Sequence, residues 1–233
     1  MLQQTQVARV IPKYREFLAR FPSVRSLARA PLKDVLLLWQ GLGYNKRARM
    51  LHAGARYVVR VHGGVLPKDK KELMRIPGIG EYTAGAILVF AFNKREVLIE
   101  TNIRTVFTHH FFPQQKNVRD AELLPLIKKT LPAKDPSAWY SALMDYGALL
   151  KRSGVRINAK NPSYRKQTRF KGSVRQARGL IVRELLRESV TQNTLKKRLT
   201  AVEEETFEKA LSALCREGVV VAQGCRLAIA YHV

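Results

Sequence analysis

The chain has 233 residues, with 42 Lys and Arg against 18 Asp and Glu, a formal net charge of +24 and a pI near 10.5. A molecule so charged repels itself unless it meets a polyanion, and because the charge is spread through a sequence 46% apolar, a folded nucleic-acid-binding protein is expected and a disordered basic arm is not. No apolar run approaches the ~18 residues of a membrane span, no signal peptide opens the chain, and Cys215 and Cys225 are spaced as in no metal site, so two reduced thiols of a cytoplasmic, nucleoid-associated protein are expected.

In chain order, apolar residues recur at three and four along Val7 to Leu18, Val35 to Leu38, Ala48 to Val61 and Ala84 to Phe92, which predicts helices. Phe21-Pro22-Ser23, Ala30-Pro31, Gly41-Leu42-Gly43, His62-Gly63-Gly64, Leu66-Pro67 and Phe112-Pro113 supply the turns between them. Two further helices are expected at about Asp120 to Thr130 and Ser137 to Leu150, the second with Trp139, Tyr140 and Met144 on its buried side. Residues 1–150 therefore read as one all-α domain.

Inside that domain, Ile76-Pro-Gly-Ile-Gly-Glu-Tyr-Thr-Ala-Gly-Ala86 reads as a helix, a tight Pro-Gly-x-Gly hairpin and a second helix starting near Thr83. Gly78 and Gly80 admit backbone angles closed to other residues, so Ile79 and Gly80 can turn their amides outward at the helix start. Those amides and the helix dipole favour an anion, and a phosphate of a nucleic-acid backbone fits the composition. An ordinary αα-hairpin whose glycines only permit the turn is the alternative.

Residues 151–175 are expected to be a basic linker: from Lys151 to Arg178 the sequence holds ten Lys or Arg and no acidic residue, a composition suited to phosphate contact. Residues 176–233 then show helices at Gln176 to Arg187, near Thr194 to Leu199 and at Glu203 to Glu217, followed by Gly218 and a hairpin pattern through Val219-Val220-Val221, Gly224 and Leu227-Ala228-Ile229. Three helices and a small β-wing describe a winged-helix-like α+β domain. Its third helix carries Glu203, Glu204, Glu205 and Glu208, so packing against protein is as consistent with it as reading DNA.

Met1-Leu-Gln-Gln-Thr-Gln-Val7, Leu38-Trp-Gln-Gly-Leu-Gly-Tyr44 with Arg47-Ala-Arg49, His62-Gly-Gly64, Ile76 to Ile87 and Met144-Asp-Tyr-Gly-Ala148 together resemble the catalytic domain of MutY-type adenine DNA glycosylases, members of the helix-hairpin-helix base-excision repair superfamily. The resemblance runs from Met1 to about Leu150 and not into the last third. It implies an all-α helix-hairpin-helix DNA glycosylase domain that extrudes a nucleotide from duplex DNA. Gln3, Gln4, Gln6, Tyr44 and Arg47 would meet the lesion, an amide replacing lost base hydrogen bonds and the tyrosine wedging between bases. Pro77, Gly78, Ile79, Gly80, Tyr82 and Thr83 would hold the strand.

Breaking the base–sugar bond leaves an oxocarbenium-like sugar, which a carboxylate near the anomeric carbon stabilises. The family places an aspartate there. The matching residue is Glu100, in Leu98-Ile-Glu-Thr-Asn-Ile103, with a helix N-cap as the bland alternative and Thr101 and Asn102 as supporting or capping partners. Relatives that also nick the strand carry a lysine at the position of Tyr82, so monofunctional hydrolysis without lyase activity is implied.

Three departures from the family pattern shape the expectation. The family's general-acid glutamate precedes the Met-Leu-Gln-Gln motif, at which this sequence begins; an internal methionine taken as the start, or a fragment, is expected, with an acid-less protein as the alternative. The four cysteines of the family's iron–sulfur cluster have no counterpart between Lys151 and Arg178, so neither cofactor nor metal is expected. The last third looks like a winged helix where MutY proteins carry a Nudix-like domain that reads 8-oxoguanine. The expected partner is duplex DNA with a mismatched or oxidised base pair, bound by a monomer with no membrane association. The expected substrate is adenine opposite guanine or 8-oxoguanine. A thymine or uracil mismatch glycosylase and a catalytically inactive DNA-binding protein remain the alternatives.

Overall fold

The computed structural model describes residues 1–3, 5–155 and 169–230. Gln4 and most of the expected basic linker, residues 156–168, lie outside the described residues. Among the described residues nine helices precede the linker: α1 (Val7–Arg20), α2 (Val24–Arg29), α3 (Leu32–Trp39), α4 (Asn45–His62), α5 (Lys70–Arg75), α6 (Glu81–Phe92), α7 (Thr101–Phe111), α8 (Asp120–Thr130) and α9 (Pro136–Arg152). After it come α10 (Val174–Arg187), β1 (Val190–Thr191), α11 (Gln192–Arg198), α12 (Glu204–Arg216), β2 (Val220–Gln223) and β3 (Arg226–Ile229). Both the all-α first part and the winged-helix-like second part expected from the sequence are present. The strand β1 has only two residues, too few for an alternation pattern to register. It pairs antiparallel with β3, Val190 opposite Leu227, and β3 pairs with β2, Val220 opposite Ile229, giving the order β1-β3-β2.

The chain gathers into two compact units that cut it differently from the segments read at residues 150 and 175. One is built from α1 to α4, the hairpin residues Ile76–Gly78 and the elements from α10 onward; the other from Pro67–Arg75 and Ile79 through α9. The first has a continuous apolar core in which Phe17, Val35, Leu36 and Trp39 join Ile181, Leu185, Leu195, Phe207 and Leu214. The amphipathic stripe of α12 supplies Phe207, Ala210, Leu211 and Leu214 at spacings of three and four. Its other face carries Glu204, Glu205 and Glu208, held by Lys196 and Lys209. Among the described residues no helix is long and apolar enough to cross a membrane.

The second unit packs Val89, Leu98, Ile103, Phe107, Leu123, Ile127 and Tyr140 around α7. Gly147, on α9, is what lets α7 come close: a Cβ there would lie 2.4 Å from the Asn102 carbonyl oxygen, a distance no side chain tolerates. The Met-Asp-Tyr-Gly motif thus marks a backbone crossing that seats the start of α7 against α9.

Candidate active site

The hairpin forms as a helix, a turn and a helix. Gly78 has φ +83° and a Cβ on it would stand 2.6 Å from Met50 Cβ, so both its conformation and its packing on α4 require glycine. Helix α6 begins at Glu81, two residues earlier than the sequence predicts, because Gly80, not Glu81, takes the extended cap conformation (φ −91°, ψ −179°). No side chain caps it. The first-turn amides of Glu81 and Tyr82 have no acceptor among the described residues, so this 12-residue helix presents N–H groups and the positive end of its dipole outward. Pro77 and Ile79 are half-buried beside the exposed Gly78 and Gly80, and Thr83 is half-buried on the first turn with Tyr82 exposed.

The second feature is Glu100. Tyr140, fully buried, accepts from the Leu98 amide at 2.8 Å and donates to the Glu96 carbonyl at 3.0 Å, which pins the extended segment leading to it. Glu100 is the N-cap of α7, and its Oε1 accepts from the amides of Asn102 (2.6 Å) and Ile103 (2.8 Å). The capping alternative is therefore realised in the geometry. It does not exhaust the carboxylate: Oε2 accepts no hydrogen bond among the described residues, and the side chain is half-exposed. Partial burial, with the charge of Glu100 adding to it, pushes the Tyr82 phenol above its ordinary range. Tyr82, on the first turn of α6, thus lies within electrostatic range of the Glu100 carboxylate.

Of the expected supporting residues, Thr101 is exposed and engages through its carbonyl, which accepts from the Thr105 hydroxyl at 2.7 Å. Asn102 engages through its side chain: Oδ1 accepts from Lys151 Nζ. Burial holds the Lys151 ammonium below the ordinary lysine range, opposed by the nearby Glu100 and reinforced by Arg104. Lys151 is the functional candidate that sequence reading missed. It looked like the first charge of a basic linker suited to phosphate contact, and its partner lies 49 positions away. Arg104 is held in turn by Asp120, with Nε–Oδ1 and Nη2–Oδ2 both 2.7 Å.

The third feature lies in the other unit. After α3 the chain turns through Gly41-Leu42-Gly43 into Tyr44, which has left-handed backbone angles (φ 50°, ψ 58°) and is the N-cap of α4. A bulky residue in that region stores of the order of 1 kcal/mol of strain. Its ring is exposed. Arg47, expected to contact DNA, engages both Nη groups inside the protein: Nη1 on the Met1 (3.0 Å) and Gln3 carbonyls, Nη2 on Thr5 Oγ1 (3.1 Å) and the Leu42 (3.1 Å) and Gly43 (3.2 Å) carbonyls. Its guanidinium lies 5.5 Å from the Trp39 ring centroid and 5.4 Å from that of Tyr44. Arg47 is a clamp that fixes the Met1 to Thr5 segment and the tyrosine turn. Gln3 and Gln6 are exposed, Gln6 as the N-cap of α1 with no side-chain capping bond.

A family model described as "HhH-GPD superfamily base excision DNA repair protein" matches residues 1–129. The adenine DNA glycosylase of Mycolicibacterium smegmatis is 31% identical over an alignment covering 94% of this chain and 81% of the relative. That of Buchnera aphidicola subsp. Baizongia pistaciae is 38% identical over 64% of this chain, a match that spans 43% of the relative's length. Among solved structures, a thermostable thymine-DNA glycosylase superposes with a TM-score of 0.55 at 21% identity, covering 70% of this chain and 79% of that one, which is a likeness of fold. With the uncapped hairpin and the Glu100 cap at the places the motifs foretell, the chain belongs to the HhH-GPD superfamily of base-excision DNA-repair proteins, on its MutY-type adenine DNA glycosylase branch.

Proposed function

We propose that this protein hydrolyses the N-glycosyl bond of adenine opposite guanine or 8-oxoguanine in duplex DNA and leaves the strand intact. The observation that carries the reading is a half-exposed carboxylate with one uncommitted oxygen, Glu100 Oε2, in the same unit as a helix start with open amides at Glu81 and Tyr82, whose phenol its charge helps to raise. An anion held at the amides is the strand's phosphate, and the oxygen beside it faces the developing cation of the sugar. Because the two amide bonds are made before substrate arrives, the carboxylate needs no reorientation as charge develops. The base leaves with the bonding electron pair and takes a proton from solvent, and water then adds to the sugar carbon and gives up a proton to solvent. Strand cleavage through a Schiff base would need an amine where Tyr82 stands, and a phenol forms none.

The chain's two cysteines sit on α12 (Cys215) and in the β2–β3 turn (Cys225). A [4Fe–4S] cluster takes four thiolates, so the residues do not fit one and the proposed reaction proceeds without it.

Single-turnover release of adenine from an 8-oxoguanine:adenine duplex tests the reading. The wild-type chain is expected to release the base and leave an alkali-labile site with no prior nick. A chain that binds the duplex and releases no adenine would overturn the reading.

A further inference from the structure

A cleft of about 470 Å³ in the first unit is lined by Lys46 and Arg49 of α4 and by Ala213, Arg216 and Glu217 at the end of α12. Lys46 and Arg216 are exposed and make no ion pair or hydrogen bond among the described residues. Arg49 also makes none there, and its Nε is buried without a partner. The Arg49 guanidinium rests on the backbone of Gly218, where a Cβ would meet its Nη2 at 2.9 Å. Glu217, the only acid of the lining, is already engaged by Arg178 through both oxygens, Nη1 to Oε1 at 3.0 Å and Nη2 to Oε2.

Three unpaired cations converging on one cleft are more than local structure needs. The C-terminus of α12 carries about half a negative charge, which a single arginine there already outweighs. The surplus of about two charges is placed there by the fold, since the Arg49 guanidinium packs on Gly218. The Nη groups of Arg49, with the Lys46 ammonium and the Arg216 guanidinium, are donors with no acceptor among the described residues. We infer that Lys46, Arg49 and Arg216 form a second phosphate seat, which grips the backbone of the same DNA duplex and gives the C-terminal elements a direct part in binding. This rests on the proposed function above, since the duplex is its ligand.

A backbone phosphate fits better than a free nucleotide. The lining has no aromatic ring on which a base could stack. Lys46 and Arg49 are three residues apart on α4 and share a face, and Lys46 lies two residues past the Tyr44 cap. A duplex probed by Tyr44 brings phosphates past that face every ~3.4 Å of axis along each strand.

The test is duplex affinity across a NaCl series, by fluorescence anisotropy, for the wild-type chain, Lys46→Gln/Arg216→Gln, and the charge-matched pair Lys128→Gln/Lys129→Gln on α8. Arg49 is left in place because it packs on Gly218. Two lost phosphate contacts lower the slope of log K against log[salt] by about 1.8, and affinity at moderate salt falls about tenfold or more, while the α8 pair leaves the slope unchanged. Equal effects of the two pairs mean a diffuse field and overturn the seat. An unchanged slope in Lys46→Gln/Arg216→Gln overturns it while leaving the proposed function standing, provided wild type releases adenine. Displacement of the effect by millimolar pyrophosphate without DNA competition reassigns the cleft to a free ligand. A wild-type chain that neither binds duplex nor releases adenine removes the proposed function and the seat together.

Discussion

Helices α6 and α7 begin a short way apart in the same unit and begin in opposite ways. Gly80 starts α6 with no side chain over its amides, whereas Glu100 starts α7 by covering two of them with its own carboxylate. Both solutions satisfy helix formation, but only the first leaves donors for an external anion, and only the second fixes a carboxylate with an oxygen to spare. A helix start is thus used once as a receptor and once as a holder.

The largest effect should come from separating holding from chemistry at Glu100. Glu100→Gln keeps an oxygen that can accept from Asn102 and Ile103 but loses the charge, so the melting temperature stays near wild type while adenine release falls about 10²-fold or more, the scale of a lost electrostatic stabiliser. Glu100→Ala loses both and should add a stability cost of about 0.5–2 kcal/mol, as for other caps. Equal single-turnover rates for wild type and Glu100→Gln would make the residue a cap alone.

The next effect concerns the backbone crossing that brings α7 to its place. Gly147→Ala puts a methyl against the Asn102 carbonyl, and a rigid backbone neighbour cannot swing aside, so a loss of about 1–3 kcal/mol is expected in urea unfolding. A stability unchanged by this substitution would mean that α9 and the start of α7 are not in contact.

The reverse conversion gives α6 the cap of α7. Gly80 is already extended and a Cβ there meets nothing within 4 Å, so Gly80→Asp is sterically free. Stability should change by only a few tenths of a kcal/mol, in the stabilising direction. Duplex affinity should fall about tenfold, because a carboxylate now occupies the anion's place. Undiminished affinity would take the hairpin out of the strand-binding surface.

These contrasts also mark what the sequence could and could not disclose. Glycine spacing identified the hairpin, and Glu100 was visible as a cap from neighbours within three residues and as a catalytic candidate from the resemblance to the family. Helix α6 started two residues early because a glycine with nothing to cap it can still adopt the cap conformation, a choice no local propensity dictates. The clamp made by Arg47 escaped for a different reason. Its five acceptors come from Met1, Gln3, Thr5, Leu42 and Gly43, a ring assembled only when the N-terminal segment folds onto the tyrosine turn. Gly147 and Lys151 escaped in the same way, since each acts on Asn102 from more than forty residues away.

Lys151 gives the smallest and most diagnostic effect. Its folded pKa is depressed by burial, so the unfolded chain holds that proton more tightly, and stability rises as pH climbs from the folded value towards the ordinary lysine range. The ammonium also faces Glu100 and orders Asn102, so over the same window the loss of its charge should slow adenine release a few-fold. Stability and rate therefore move in opposite directions. Other groups add to the stability profile: the raised Tyr82 and Tyr140 phenols a loss above the ordinary tyrosine range, the raised Cys215 thiol a loss above the ordinary thiol range, and the lowered Met1 amine a gain as pH rises towards the ordinary amine value. In Lys151→Met the alkaline fall in rate should vanish, and the stability gain over the lysine window should be lost, leaving only the contributions of those other groups. A variant that melts lower but preserves the alkaline fall in rate would make Lys151 a packing residue, leaving Glu100 held by the amides of α7 alone.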